Sequence, residues 1–363
     1  MKFRCERDGL VEALSTVGRA VSGRGGALPV LAGALVELSG EELSLTGTDL
    51  DMTIAVTLAV DGQSDGRAVL PARLASDIVR ALEPGAVTVE IDEDEARISS
   101  GRSEFAVRLL SVDDFPQISQ PEASPVVVPA AQLSAGLAQV VRATSKDDSR
   151  PTLTGVLFQA EGEGLRLVAT DSYRLAWRDL PGTSLLAEGQ QVLVPGRALS
   201  ELVRLLGDVE EVALVLGERE VSFILEGAQL TTRLIEGDFP NYRQLVPDDF
   251  PNRLEVGREA LLDAVRRVRL LARESTPVRV AQQDGAVELT AITQDVGQAH
   301  ESIDADYDGE ELVVAFNPEY LLDGIEAMPG DQVVVQTRDA LKPVVLRGED
   351  PDFLYLLMPV RVS

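Results

Sequence analysis

The sequence predicts an α+β fold in which a unit of two helices against several antiparallel strands is repeated three times in tandem. Three observations predict it. An amphipathic helical pattern, a strand pair ending in a polar corner, and a strand leading into a second short helix recur in that order, with a period of about 120 residues. The chain has 363 residues, too many for one ordinary core and enough for two or three. Apolar residues make up 45% of it and aromatics only 4%, so the cores are expected to be aliphatic.

The first recurring segment covers residues 7–22, 131–143 and 258–273. In the third copy Leu261, Leu262, Val265, Val268 and Leu271 fall at helical spacing and give one apolar face. The opposite face carries Arg266, Arg267, Arg269 and Arg273.

The second segment is a strand pair. Pro29 to Val36 is followed by Leu43 to Asp49, and Pro151 to Phe158 by Leu165 to Asp171. In the third copy Val278 to Ala281 is followed by Val287 to Ala291. Apolar and polar residues alternate, as in strands covered on one face. The middle copy ends in Thr170-Asp171-Ser172 between two apolar runs, where a strand must turn, and continues as Tyr173-Arg174-Leu175.

The third segment begins with Val69-Leu70-Pro71-Ala72-Arg73, Leu193-Val194-Pro195-Gly196-Arg197 and, more loosely, Val314 to Glu319. Each opens a short helix, expected over 73–82, 197–206 and 318–328, with Pro318 near the first helical position, where its missing N–H costs little. Strands then close each unit, and the first two end alike, in Asp113-Asp114-Phe115-Pro116 and Gly237-Asp238-Phe239-Pro240. Polar, proline-bearing linkers at 117–124 and 248–253 follow. The expected domains are 1–121, 122–252 and 253–363.

The formal charge is −27, from 33 basic and 60 acidic residues, and only Lys2, Lys146 and Lys342 are lysine. Taken whole, this argues against a nucleic-acid binder. The six helical windows nevertheless hold 12 arginines and nine acids, a net of +3, which leaves −30 for the remainder. Two readings stay open. The arginines solubilise an outward face, or the helices share one surface that attracts a polyanion while the rest repels it.

No stretch reaches the roughly 20 apolar residues of a membrane span. The first residues alternate like a strand rather than a signal peptide, and the single cysteine, Cys5, fits a reducing cytoplasm and a small core residue.

Catalytic constellations are sparse. One histidine, His300, makes neither a metal site nor a triad. Asp92-Glu93-Asp94-Glu95 lacks the spacing of a calcium loop and reads as a solvated hairpin. Gly23-Arg24-Gly25-Gly26 does not continue as a phosphate loop. Asp171 reads as a turn residue rather than an acid or base. Neither a catalytic residue nor a cofactor or metal is expected.

The repeats, together with Leu45-Thr46-Gly47-Thr48-Asp49, Val168 to Ala176, Phe239-Pro240-Asn241-Tyr242 and Tyr355-Leu356-Leu357-Met358-Pro359-Val360-Arg361-Val362, give the chain a close resemblance to the bacterial DNA sliding clamps, the beta subunits of DNA polymerase III. The resemblance runs end to end. It implies three clamp domains per chain and a homodimeric ring closed head to tail, with helices lining the hole. It implies a non-catalytic processivity factor that slides on duplex DNA without reading sequence and tethers the replicative polymerase, the clamp loader and repair proteins. A three-domain interaction scaffold without DNA encirclement is the rival.

Carried over by the same resemblance, the DNA-facing residues are Arg24, Arg73, Arg80, Arg142, Lys146, Arg150, Arg197 and Arg204, although strict matching of Leu28-Pro29 puts the family's basic loop residue on Gly25. The dimer interface is Arg102, Phe105 and Val107 against Leu270, Leu271 and Glu301. A peptide pocket is walled by Leu153, Thr170, Ser172, Tyr173, Arg174, Leu175, Pro240, Gln244, Leu245, Lys342, Leu356, Leu357 and Met358. Apolar side chains there supply affinity, and Arg174 and Tyr173 orient the peptide. Tyr173 stands where some members have histidine and Gln244 where some have arginine.

Overall fold

The computed structural model describes residues 1–22, 28–118, 123–207, 209–272 and 276–361. Arg24 and Gly25 lie outside them. Among the described residues six α-helices form: α1 (Arg7–Val17), α2 (Ala72–Ala81), α3 (Ala130–Val140), α4 (Gly196–Leu206), α5 (Arg258–Val268) and α6 (Pro318–Ala327). Each falls in a window with helical periodicity. α1 ends at Val17, short of its window, with Gly18 as its C-cap. The chain there changes to bonds three residues apart, Arg19 N–H to Thr16 O and Ala20 N–H to Val17 O. α6 is capped by Asn317, whose side-chain oxygen accepts from the N–H groups of Glu319 (2.9 Å) and Tyr320 (3.4 Å), with Pro318 at the first position.

The strand expectations need one correction. Pro29–Ala32 and Pro151–Leu153 are short 3-10 turns, and the strands begin at Gly33 and Gly155. Proline has no N–H for a ladder and its fixed φ suits the first residue of a turn. The linker expected at 248–253 also ends early, since Asn252 already opens the strand Asn252–Gly257.

The chain divides into two compact units, Met1–Ala131 with Glu201–Leu234, and Gln132–Ser200 with Ile235–Ser363. The first unit holds a five-stranded and an eight-stranded antiparallel sheet. At the centre of the larger one, Met52–Ala59 pairs with Ala228–Arg233, so that Ile54 lies opposite Leu230 and Thr53 opposite Thr231. α1 packs on α2 through a stripe that includes Leu10, Leu14, Val17, Ala75 and Val79, all buried.

The second unit holds a twelve-stranded sheet, in which Arg174–Leu180, the fourth strand across, pairs with Phe353–Leu357, the fifth. Leu175 lies opposite Leu356 and Trp177 opposite Leu354. α5 packs on α6, and Arg258 donates to the carbonyls of Ile325 (3.3 Å) and Glu326 (3.2 Å), two of the acceptors a helix end leaves unmatched. In both units the strand after the polar corner is paired with the last strand of the next sequence copy.

The solvated hairpin expected at residues 92–95 is found. Asp92–Asp94 is an exposed hairpin tip between Ala86–Ile91 and Glu95–Ser100. His300 is exposed on Gly297–Asp308, with Glu288 3.5 Å away. Cys5 is partly covered, and burial with Glu6 nearby raises its thiol pKa to about 11.

Candidate functional site

The corner at Thr170-Asp171-Ser172 is built by its own side chains. Asp171 accepts from the N–H groups of Tyr173 (2.9 Å) and Arg174 (3.0 Å), while the Thr170 hydroxyl donates to Arg174 O (2.7 Å). This holds Ser172 at φ +79°, left-handed backbone that costs a side-chain-bearing residue about 1–2 kcal/mol. Tyr173 follows at the tip, 59% exposed, and its ring stacks on Tyr320 of α6 with centroids 6.3 Å apart.

Arg174 points inward and is 8% exposed. Its Nε donates to Asp171 (3.1 Å), its Nη1 to Asp323 of α6 and to the Tyr355 hydroxyl (3.4 Å), and its guanidinium lies 4.3 Å from the Tyr320 ring centroid. Burial by itself lowers the Arg174 pKa, but Tyr355 and Asp323 outweigh it and raise it, so the guanidinium stays charged. Burial raises the Tyr355 pKa, and that hydroxyl donates to Tyr320 O (2.9 Å). A cleft of about 1200 Å³ opens here, lined among others by Lys146, Arg150, Tyr173, Arg269 and Tyr320.

On the sheet face beside the corner lies an apolar cluster of Leu157, Val168, Leu175, Leu193, Tyr242, Val345, Leu354 and Leu356, with Trp177, Phe239 and Val246 packed against it. Leu153 is buried nearby in sequence, while Pro240, Gln244, Leu245 and Lys342 are exposed. Met358 is also exposed, and its N–H donates to Tyr173 O (2.9 Å), which ties the C-terminal segment to the corner. Leu357 is not in the cluster. It is the neighbour of Leu356 on a strand, and alternation sends it to the opposite face.

The sequence reading missed Tyr320, Asp323, Tyr355 and Trp177. Nothing in the local pattern says that α6 meets the corner.

Three family models tile the chain: the DNA polymerase III beta subunit N-terminal domain at residues 1–119, the central domain at 127–241 and the C-terminal domain at 243–361. The beta sliding clamp of Streptomyces coelicolor is 34% identical, covering 100% of each chain. The chain belongs to the beta sliding clamp family. Among solved structures, the clamp of Bacillus subtilis matches with a TM-score of 0.90 at 32% identity, and a Pseudomonas aeruginosa clamp bound to griselimycin with 0.90 at 29%, both over 100% of each chain. As a sliding clamp the chain is a processivity factor that encircles DNA, a non-catalytic subunit of the polymerase.

In this sliding clamp the basic residues ascribed to DNA contact differ in surroundings. Arg73, Lys146 and Arg197 are exposed. Arg80 donates to Ser15 (2.9 Å), Arg150 to Ser172 (3.0 Å), and Arg204 pairs with Glu201 (2.5 Å). Arg142 is the most engaged, 3.2 Å from Glu326 and 3.6 Å from Asp323. Glu326 also meets Arg266 (3.0 Å). Burial would raise the Glu326 pKa, but the hydrogen bonds from Arg266 and Arg142 hold it below its usual value.

Of the residues ascribed to the clamp's dimer interface, Phe105, Val107 and Glu301 lie on strands with an open edge, Leu270 and Leu271 lie in the 3-10 turn Arg269–Leu271, and Arg102 lies in the turn before its strand. Ser103–Arg108 is the edge of the five-stranded sheet, with Phe105 40% exposed and Val107 buried within the subunit at 3%. In the other unit, residues 297–304 are paired on one side only. Leu270 is 83% exposed, and Glu301 is held by Arg267 at 2.8 and 2.9 Å.

Proposed function

We propose that the Thr170–Leu175 corner, with the apolar cluster beside it, is the pocket through which this clamp tethers its partners. Two features support this: side chains of both strands at the join are apolar where Leu175 meets Leu356, and the rim carries exposed Tyr173, Pro240, Gln244, Leu245, Lys342 and Met358. Leu153, Thr170 and Ser172 support the wall, and Arg174 and Leu357 back it from the opposite face of the strands. The partners are the replicative polymerase, the clamp loader and repair proteins, each offering a short linear motif with apolar anchors. Arg174 acts from beneath, orienting the tip through Asp171 and Tyr320.

Arg24, Arg73, Arg80, Arg142, Lys146, Arg150, Arg197 and Arg204 face the phosphates of duplex DNA inside a homodimeric ring. Such interactions repeat along the duplex and do not read bases, so sliding leaves their energy unchanged. The ring closes where Arg102, Phe105 and Val107 at one edge strand meet Leu270, Leu271 and Glu301 of a partner copy, by pairing of the open edges. Domains at 1–121, 122–252 and 253–363 and a cytoplasmic location complete the reading.

Light scattering and peptide binding test it together. A dimer at micromolar concentration, and binding of a labelled peptide from the replicative polymerase that Met358→Ala with Leu175→Ala abolishes, are expected. A stable monomer would overturn the ring. Normal peptide binding by the double variant would overturn the pocket.

A further inference from the structure

We propose that the sheet face of the first unit carries a second docking groove, suited to an extended basic segment of a partner protein rich in hydroxyl and amide side chains. The proposal borrows its geometry from the pocket described above, and so rests on the reading of that pocket as a peptide site.

The first sequence copy reproduces the corner bond for bond. Asp49 accepts from the N–H groups of Asp51 (3.1 Å) and Met52 (2.8 Å), the Thr48 hydroxyl donates to Met52 O (3.1 Å), and Leu50 is held at φ +78°. Strand register is reproduced as well. Thr46 lies opposite Leu35 and Ala55, as Val168 lies opposite Leu157 and Trp177. Across the central join Thr53 meets Thr231 and Ala55 meets Gln229, where the other unit has Leu175 with Leu356 and Trp177 with Leu354. Phe115-Pro116 stands at the wall, as Phe239-Pro240 does there.

The chemistry of the face has changed while its frame has not. Val168, Trp177, Leu354 and Leu356 are replaced by Thr46, Ala55, Gln229 and Thr231. Without the indole and the leucines, a groove of about 1220 Å³ is left, flanked by the exposed Ile118 and Ile224. The Thr53 and Thr231 hydroxyls are engaged within the sheet, by Thr48 (2.8 Å) and Ser222 (2.6 Å), so this floor offers an apolar peptide none of the leucine surface of the other pocket, whereas amide and hydroxyl side chains can share hydrogen bonds with its hydroxyl oxygens. Glu37, Glu41 and Glu42 line the groove against one cation, Arg67, and none of the three acids has an ion-pair partner among the described residues. That imbalance selects a basic occupant. The strands forming the floor are paired on both sides, so the occupant lies across the face rather than adding a strand.

The test uses the full chain and two fluorescein-labelled heptapeptides, Lys-Thr-Gln-Thr-Ser-Gln-Lys and the same peptide with glutamates in place of both lysines. In low-salt anisotropy titrations the basic peptide is expected to bind saturably and the acidic one at least about five-fold more weakly. Ala55→Trp, which restores the indole of the other pocket, should abolish binding. Glu37→Gln with Glu42→Gln should weaken it roughly three- to ten-fold without altering the floor. The Leu175→Ala, Met358→Ala variant should bind the basic peptide as the parent does, so that failure of the polymerase pocket and failure of this groove are read separately. Absence of saturable binding, equal binding of the acidic peptide, retention in both groove variants, or abolished binding in the Leu175→Ala, Met358→Ala variant would each overturn the proposal.

Discussion

Arg174 and Asp323 form an ion pair between the strand Arg174–Leu180 and α6, and the other oxygen of Asp323 lies 3.6 Å from Arg142. One carboxylate of the third sequence copy thus sits between an arginine ascribed to the peptide pocket and an arginine ascribed to DNA. Arg174 is almost fully enclosed, so these carboxylates compensate a charge that water scarcely reaches.

Asp323→Ala leaves the buried guanidinium with Asp171 as its remaining carboxylate. The expected destabilisation is about 1–3 kcal/mol in the second unit, reduced from a fully buried pair because Asp323 is partly exposed. Urea unfolding of the parent and variant measures it, and Tyr173 should no longer be fixed over Tyr320.

Glu326 pairs with Arg142 and Arg266, so on the proposed DNA surface it competes with phosphate for Arg142. Glu326→Gln should therefore tighten non-specific duplex binding about two- to five-fold, the worth of a partly exposed ion pair. Replacing Arg142, Arg197 and Arg204 together should lower the slope of log affinity against log salt by about 0.9 for each phosphate that is no longer neutralised. An unchanged slope would remove these arginines from the DNA surface.

The pH dependence of stability follows from depressed carboxylates. For Asp350, burial raises the pKa, but hydrogen bonds from Arg178 and the Asp352 N–H outweigh it and hold it below 3.8; Glu326 is likewise held below 4.5. A folded-state pKa below the unfolded value contributes stability that is present above the unfolded pKa and disappears as pH falls through the folded one. Melting temperatures should fall as pH drops below 4.5, and more gently in Glu326→Gln with Asp350→Asn.

Cys5, with its pKa raised to about 11, should react slowly with iodoacetamide. At pH 8 roughly a thousandth of it is thiolate, so alkylation of the folded chain should lag far behind that of the chain in urea.

Leu50 holds left-handed backbone with no side-chain hydrogen bond of its own to give up. Leu50→Gly should stabilise the first unit or leave it unchanged, by up to about 1 kcal/mol. Ser172→Gly should gain less, because it also removes the hydroxyl that accepts from Arg150.

The repeat, the α+β class and the helical windows were legible because they are written in local periodicity. Leu261, Leu262, Val265 and Val268 can share a face only on a helix, and Thr170-Asp171-Ser172 can make its turn from its own side chains. The turns at Pro29 and Pro151 were misread as strand because an apolar run beside proline suits either, and only ladder pairing decides.

What the sequence by itself determined is the three-fold repetition, the place of each corner and the aliphatic cores, since each depends on residues close in the chain. Tertiary structure alone decided that Leu175 meets Leu356, that α6 brings Tyr320 and Asp323 to Tyr173 and Arg174, and that Thr53 meets Thr231 in the same register. Those pairings join residues more than a hundred positions apart, and their register comes from sheet pairing and burial over whole strands, which no local pattern encodes.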